Sequence, residues 1–150
     1  MKTTRTCAFT VTMTLWVGLA SGQTLERFNP EGLSKPQSYS HVVKVGKLLF
    51  IAGQVGSNAE GKIAGTGMRE QFDQALANLS IALKSQGADF SHIAKITIFV
   101  TSVSEFRAPE VTQVRERYFG ANRPASTLVQ IAQLASLDYK VEIEAIAALP

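Results

Sequence analysis

Residues 41–51 read HVVKVGKLLFI, two β-rich apolar runs separated by Gly46-Lys47. That pattern predicts two strands joined by a tight turn. Before them, residues 23–38 are rich in Pro, Gly and polar side chains and predict an irregular arm. After them, residues 54–67 carry Gly56, Gly61, Gly65 and Gly67 with Asn58 and predict a loop. The period then becomes helical. Phe72, Ala75, Leu76, Leu79, Ala82 and Leu83 recur at spacings of three and four within residues 68–86, one apolar stripe of a helix that Gly87 closes.

Ser91 caps a short turn before IAKITIFV, an apolar, β-branched strand ending at Val100. Residues 110–119 form a second helix, with Val111, Val114 and Tyr118 on one side and Pro109 at its first turn. Residues 126–131 form a short strand and 135–138 a loop. From Lys140, KVEIEAIAAL alternates as a final strand. The predicted order is β-β-α-β-α-β-β. Two amphipathic helices on one face of a mixed sheet make a two-layer α+β domain. The IAKITIFV strand is apolar on both sides, so the uncovered face is expected to meet other subunits.

Composition narrows the function. Of 150 residues, 45% are hydrophobic and 18% charged, which fits a globular domain and not a disordered chain. Residues 1–22 have the pattern of a secretory signal peptide: Lys2 and Arg5, an uncharged run from Cys7 to Ala20, then Ala20-Ser21-Gly22. The uncharged run is too short for a stable membrane anchor. Residues 23–150 would be the mature domain, periplasmic or secreted, the alternative being a cytoplasmic protein. The segment removes Lys2 and Arg5 from a total of 15 basic residues, leaving 13 against 12 acids, a net +1. No basic stripe remains to track phosphates, so no nucleic-acid partner is expected. Cys7 is the only cysteine and His41 and His92 the only histidines, so neither a disulfide framework nor a metal centre is expected.

Few residues suggest chemistry by pattern. Glu142 and Glu144 share one face of the last strand, either as paired acid and base or as a solvated edge. His41 has no visible partner, and His92 sits where a capping residue belongs. Ser126-Thr127 lacks a nucleophile elbow. The glycines around 61–67 do not form a phosphate loop. Arg115 and Arg117 beside Tyr118 suit a solvated helix face.

Four stretches taken together carry a resemblance. They are FNPEGLSKPQSYSHVVKVGKLLFIAGQV, EQFDQALANLSIALKSQGADFSHIAKITIFVTSVSEF, RYFGANRPASTLVQIAQL and VEIEAIA. In this order they resemble the RidA/YjgF family, also called the L-PSP endoribonuclease family, across nearly all of residues 28–150. The resemblance implies a chorismate-mutase-like α+β subunit and a homotrimer with small-molecule clefts between subunits. It implies hydrolysis of enamines and imines to 2-keto acids and ammonia without metal or organic cofactor. It places Glu142 as the residue orienting water, Tyr39 as a cleft-lining tyrosine on the first strand, Gly53 and Gln54 in a bordering turn, and Thr112 near a polar lining position. The family's deaminating members have proline-alanine-arginine-serine where this chain has Pro124-Ala125-Ser126-Thr127, so Ser126 replaces a carboxylate-binding arginine, with Arg123 three positions earlier. Three functions follow: an imine or enamine hydrolase, a trimer that binds a small ligand without turnover and, last, a ribonuclease.

Overall fold

The computed structural model describes residues 24–150, so the signal-peptide assignment to residues 1–22 lies outside the described residues. The strands are β1 (Leu25–Phe28), β2 (Val42–Val45), β3 (Leu48–Val55), β4 (Ile93–Val100), β5 (Ala125–Gln130) and β6 (Val141–Ala148). The helices are α1 (Met68–Lys84), α2 (Val103–Phe106) and α3 (Pro109–Phe119). The strands form one six-stranded mixed sheet in the order β1-β2-β3-β6-β4-β5, antiparallel except for the β4–β5 pair. The expected α+β class is therefore the observed one. Among the described residues no helix is long and apolar enough to cross a membrane.

The stripe read from the sequence is the core side of α1. Phe72, Ala75, Leu76, Leu79, Ala82 and Leu83 have no exposed surface. They pack on the inward residues of the central strands, including Leu49, Ile96, Ile98 and Ile143. Truncating one such large aliphatic side chain removes about 2–5 kcal/mol. At the far end of α1, Gly87 takes φ 70°. Ala88 N then donates to Leu83 O at 3.0 Å and Gly87 N to Lys84 O at 3.1 Å, satisfying carbonyls the helix leaves open. α3 packs on α1 and begins at Pro109, where the missing N–H costs nothing.

Three expectations are corrected. The arm contains β1, which pairs with β2. Its residues LERF lie on a sheet edge, mostly exposed, so no hydrophobic alternation marks them. The second hairpin strand runs on to Val55, placing Gly53 and Gln54 within β3 rather than in a turn. Tyr39 precedes β2 instead of lying on it. The four-residue α2, capped by Ser102 Oγ accepting from Glu105 N at 3.2 Å, is too short to show a period in the sequence.

Candidate functional site

β3 and β6 create the central feature. Ile51 faces Ala145 and Gln54 faces Ile143, so β3 spends one extra residue over this interval. That bulge brings Gly53 under the side chain of Glu142. A Cβ added at Gly53 would fall 1.8 Å from Glu142 Oε1, so glycine is what admits the carboxyl there. Glu142 is half-buried and makes no side-chain hydrogen bond or ion pair among the described residues. Burial, and second the neighbouring charge of Glu144, raise its pKa above the ordinary carboxylate value.

Beside Gly53 is a small polar hollow also bordered by Tyr39, His41, Gln54, Ser57 and Asn78. Its buried polar wall residues are hydrogen-bonded. Gln54 Nε2 donates to His41 Nδ1 at 3.2 Å and to Ala52 O at 2.9 Å. His41 Nδ1 is thus an acceptor, and Nε2–H donates to Ser34 O at 2.9 Å. His41 and Gln54 are 4% and 2% exposed, so they hold the wall rather than reach a ligand. Tyr39 is half exposed and stands edge-on to His41 with ring centroids 5.5 Å apart.

The structure therefore seats Glu142 on Gly53 and gathers Gly53, Gln54 and Tyr39 around the neighbouring hollow. It does not bring the other expected residues to them within one subunit. Ser126 aligns with Ile96, which aligns with Ala145. It is two strands from Glu142, three rows along and on the opposite sheet face, roughly 14 Å away. Thr112 lies exposed on α3, on the helical side of the sheet, its Oγ1 donating to Ala108 O at 3.4 Å. Arg123 folds back on its own loop, where Nη1 donates to Gly120 O and Asn122 O. The separation along β6 and across β4 is fixed by register, which the residue pattern does not encode.

Two positioning residues escaped the sequence reading. Gln71 has no exposed surface. Its Nε2 donates to Gly65 O at 3.0 Å and Asp138 O at 2.8 Å, and its Oε1 accepts from Lys140 N at 2.8 Å. Asn78 Nδ2 donates to Val55 O at 3.1 Å and Ser57 O at 2.8 Å. Together they tie α1 to the loops before and after the site. Their signal was present: Met68, Gln71, Ala75, Asn78 and Ala82 share helical spacing, and a polar residue within a buried ridge needs backbone partners.

The chain matches the family model described as Endoribonuclease L-PSP over residues 32–149. It is 34% identical over 110 residues to the human 2-iminobutanoate/2-iminopropanoate deaminase, an alignment spanning 73% of this chain and 78% of that protein. To the Arabidopsis thaliana protein Reactive Intermediate Deaminase A, chloroplastic, it is 37% identical over 112 residues, 74% of this chain and 58% of that one. The chain thus spans little more than half the length of the plant relative. The crystal structure of RidA from the Antarctic bacterium Psychrobacter superposes with a TM-score of 0.73 at 26% identity, covering 82% of this chain and 98% of that chain.

Proposed function

Because the chain belongs to the endoribonuclease L-PSP family, the RidA/YjgF proteins, we propose that it hydrolyses the C=N bond of small imines and enamines, with Glu142 as general base. The observation that carries this reading is the half-buried Glu142 carboxyl, seated on Gly53 with no partner of its own. A carboxylate whose proton affinity is raised is a better base near neutral pH. Glu142 takes a proton from water as the water oxygen adds to the imine carbon. It passes that proton to the imine nitrogen to give a carbinolamine, then takes the carbinolamine hydroxyl proton and delivers it to the nitrogen as the C–N bond breaks, so the imine and one water become a carbonyl compound and ammonia. The human and plant relatives named as deaminases support the reaction class.

Assembly is part of the proposal. The sheet face away from the helices carries Val43, Ala52 and Ile146 in a hollow of about 320 Å³, with Phe50 43% exposed. A monomer leaves this apolar surface in water, and a homotrimer packed through it would cover it. Each cleft would then lie between neighbouring subunits.

The test generates 2-iminopropanoate from alanine with an amino-acid oxidase and follows its loss above the spontaneous rate. The full chain should accelerate that loss, and Glu142→Gln should reduce kcat/KM by about 10²–10⁴-fold. A second reading, ligand binding without turnover, is favoured by Arg123, whose guanidinium is turned onto loop carbonyls instead of the site. Unaccelerated imine loss with saturable binding of pyruvate would establish it.

A further inference from the structure

A second hollow, of about 510 Å³, lies at the head of β6. Ile63, Thr66, Thr101, Leu137, Tyr139 and Lys140 are among its lining residues. Its walls are held from beneath. Buried Gln71 binds Gly65 O on one wall and Asp138 O and Lys140 N on the other. Tyr139 OH is 3.4 Å from Ser57 Oγ, and Ser57 borders the polar hollow beside Gly53. The two hollows are therefore neighbours with one hydroxyl pair between them. Lys140 and Glu142 are two residues apart on the same side of the chain, about 7 Å. Lys140, at the edge of the larger hollow, is thus one strand repeat from Glu142 along the chain.

Its chemistry is aliphatic and hydroxylic. Its ammonium, Lys140, is paired with Glu105 Oε2 at 3.0 Å, and Asp138 adds a negative charge. It therefore offers little to a carboxylate. It offers much to a hydrocarbon group, since Leu137 is 83% exposed at the lining and Ile63 and Ala132 are close by. We propose that this hollow receives the organic substituent of the molecule whose C=N bond meets Glu142, and selects a neutral aliphatic group of three or four carbons over methyl or ethyl. The inference rests on the hydrolase reading and names its substrate class: imines and enamines carrying a longer aliphatic chain. Each added methylene that leaves water should improve kcat/KM about fourfold.

The experiment compares imines generated in place from alanine, 2-aminobutyrate and leucine, using the full chain and its Leu137→Trp variant. From the methyl to the isobutyl substituent, kcat/KM should rise on the order of 50-fold. In Leu137→Trp, where indole occupies the hollow, the ratio should collapse to less than about threefold. Thermal unfolding checks that this exposed substitution leaves the fold intact. A flat profile in the natural chain overturns the proposal. Binding is read separately from the methyl NMR signals of Ile63 and Leu137. The product 4-methyl-2-oxopentanoate should shift them at concentrations where pyruvate does not. If no imine is hydrolysed and these signals shift, the hollow keeps its assignment and the hydrolase reading falls. If imines are hydrolysed and the signals stay still, the hydrolase reading stands and this proposal falls.

Discussion

Along β6, Val141, Ile143, Ala145 and Ala147 face the helices and are at most 3% exposed, while Glu142, Glu144, Ile146 and Ala148 on the other side are half-buried or exposed. One strand thus serves two purposes through its two-residue period. The inward set is what any two-layer domain requires, and its residues are interchangeable with other aliphatics of similar volume. The outward set is not required for folding. Two carboxylates stand among Phe50, Ile146 and Phe99, beside Lys95 and Thr97, and half-buried Glu142 binds its proton more tightly there. A departure from what folding alone favours is where function is sought first.

Cutting into the inward face should have the largest effect on stability. Ile143→Ala is expected to cost about 2–5 kcal/mol in a denaturant titration, because Ile143 has no exposed surface and lies between β3 and β4 under α1. The folded fraction should keep its activity. A cost below about 1 kcal/mol would mean that this face tolerates a cavity, against the packing described.

On the outward face the same chemistry should act on assembly instead. Phe50→Lys changes a side chain that is 43% exposed in the subunit, so subunit folding should shift by no more than about 0.5 kcal/mol. Sedimentation should show the proposed association lost, since each copy would bring a charge into the surface proposed to be shared. An unchanged sedimenting mass would place the subunit contact elsewhere.

The same contrast explains what was legible in the sequence. Helix α1 and strands β3, β4 and β6 are readable because each has a buried side whose period shows. β1 was missed because it is an edge strand with mostly exposed side chains, and α2 because four residues contain barely one turn. At the site, Glu142, Gly53, Gln54 and Tyr39 come from the resemblance; the structure seats Glu142 on Gly53 and places Gln54 and Tyr39 at the hollow beside Gly53. Their geometry was not readable. The β3 bulge that slides Gly53 beneath Glu142 is a property of pairing between segments ninety residues apart in sequence. For the same reason Ser126, Arg123 and Thr112 looked near the site by motif and are distant within the subunit.

The finest test separates the two causes acting on Glu142. Its pKa is raised first by burial and second by Glu144, two residues along the same face. As a general base Glu142 must be ionised, so activity should fall as pH drops through its raised pKa. Glu144→Gln removes the smaller cause, and the acid limb of kcat/KM should move to lower pH while the burial contribution persists. Stability responds with the opposite sign. An acid whose pKa is higher folded than unfolded favours the folded state when protonated, and this contribution is lost as pH rises from the ordinary carboxylate value through the raised one. Glu142→Gln should flatten that loss. The gain at neutral pH is less than about 1 kcal/mol, because a half-exposed carboxyl is screened by solvent. If the acid limb stays fixed in Glu144→Gln and persists in Glu142→Gln, it belongs to another group. The two sides of β6 would then differ in burial but not in chemistry.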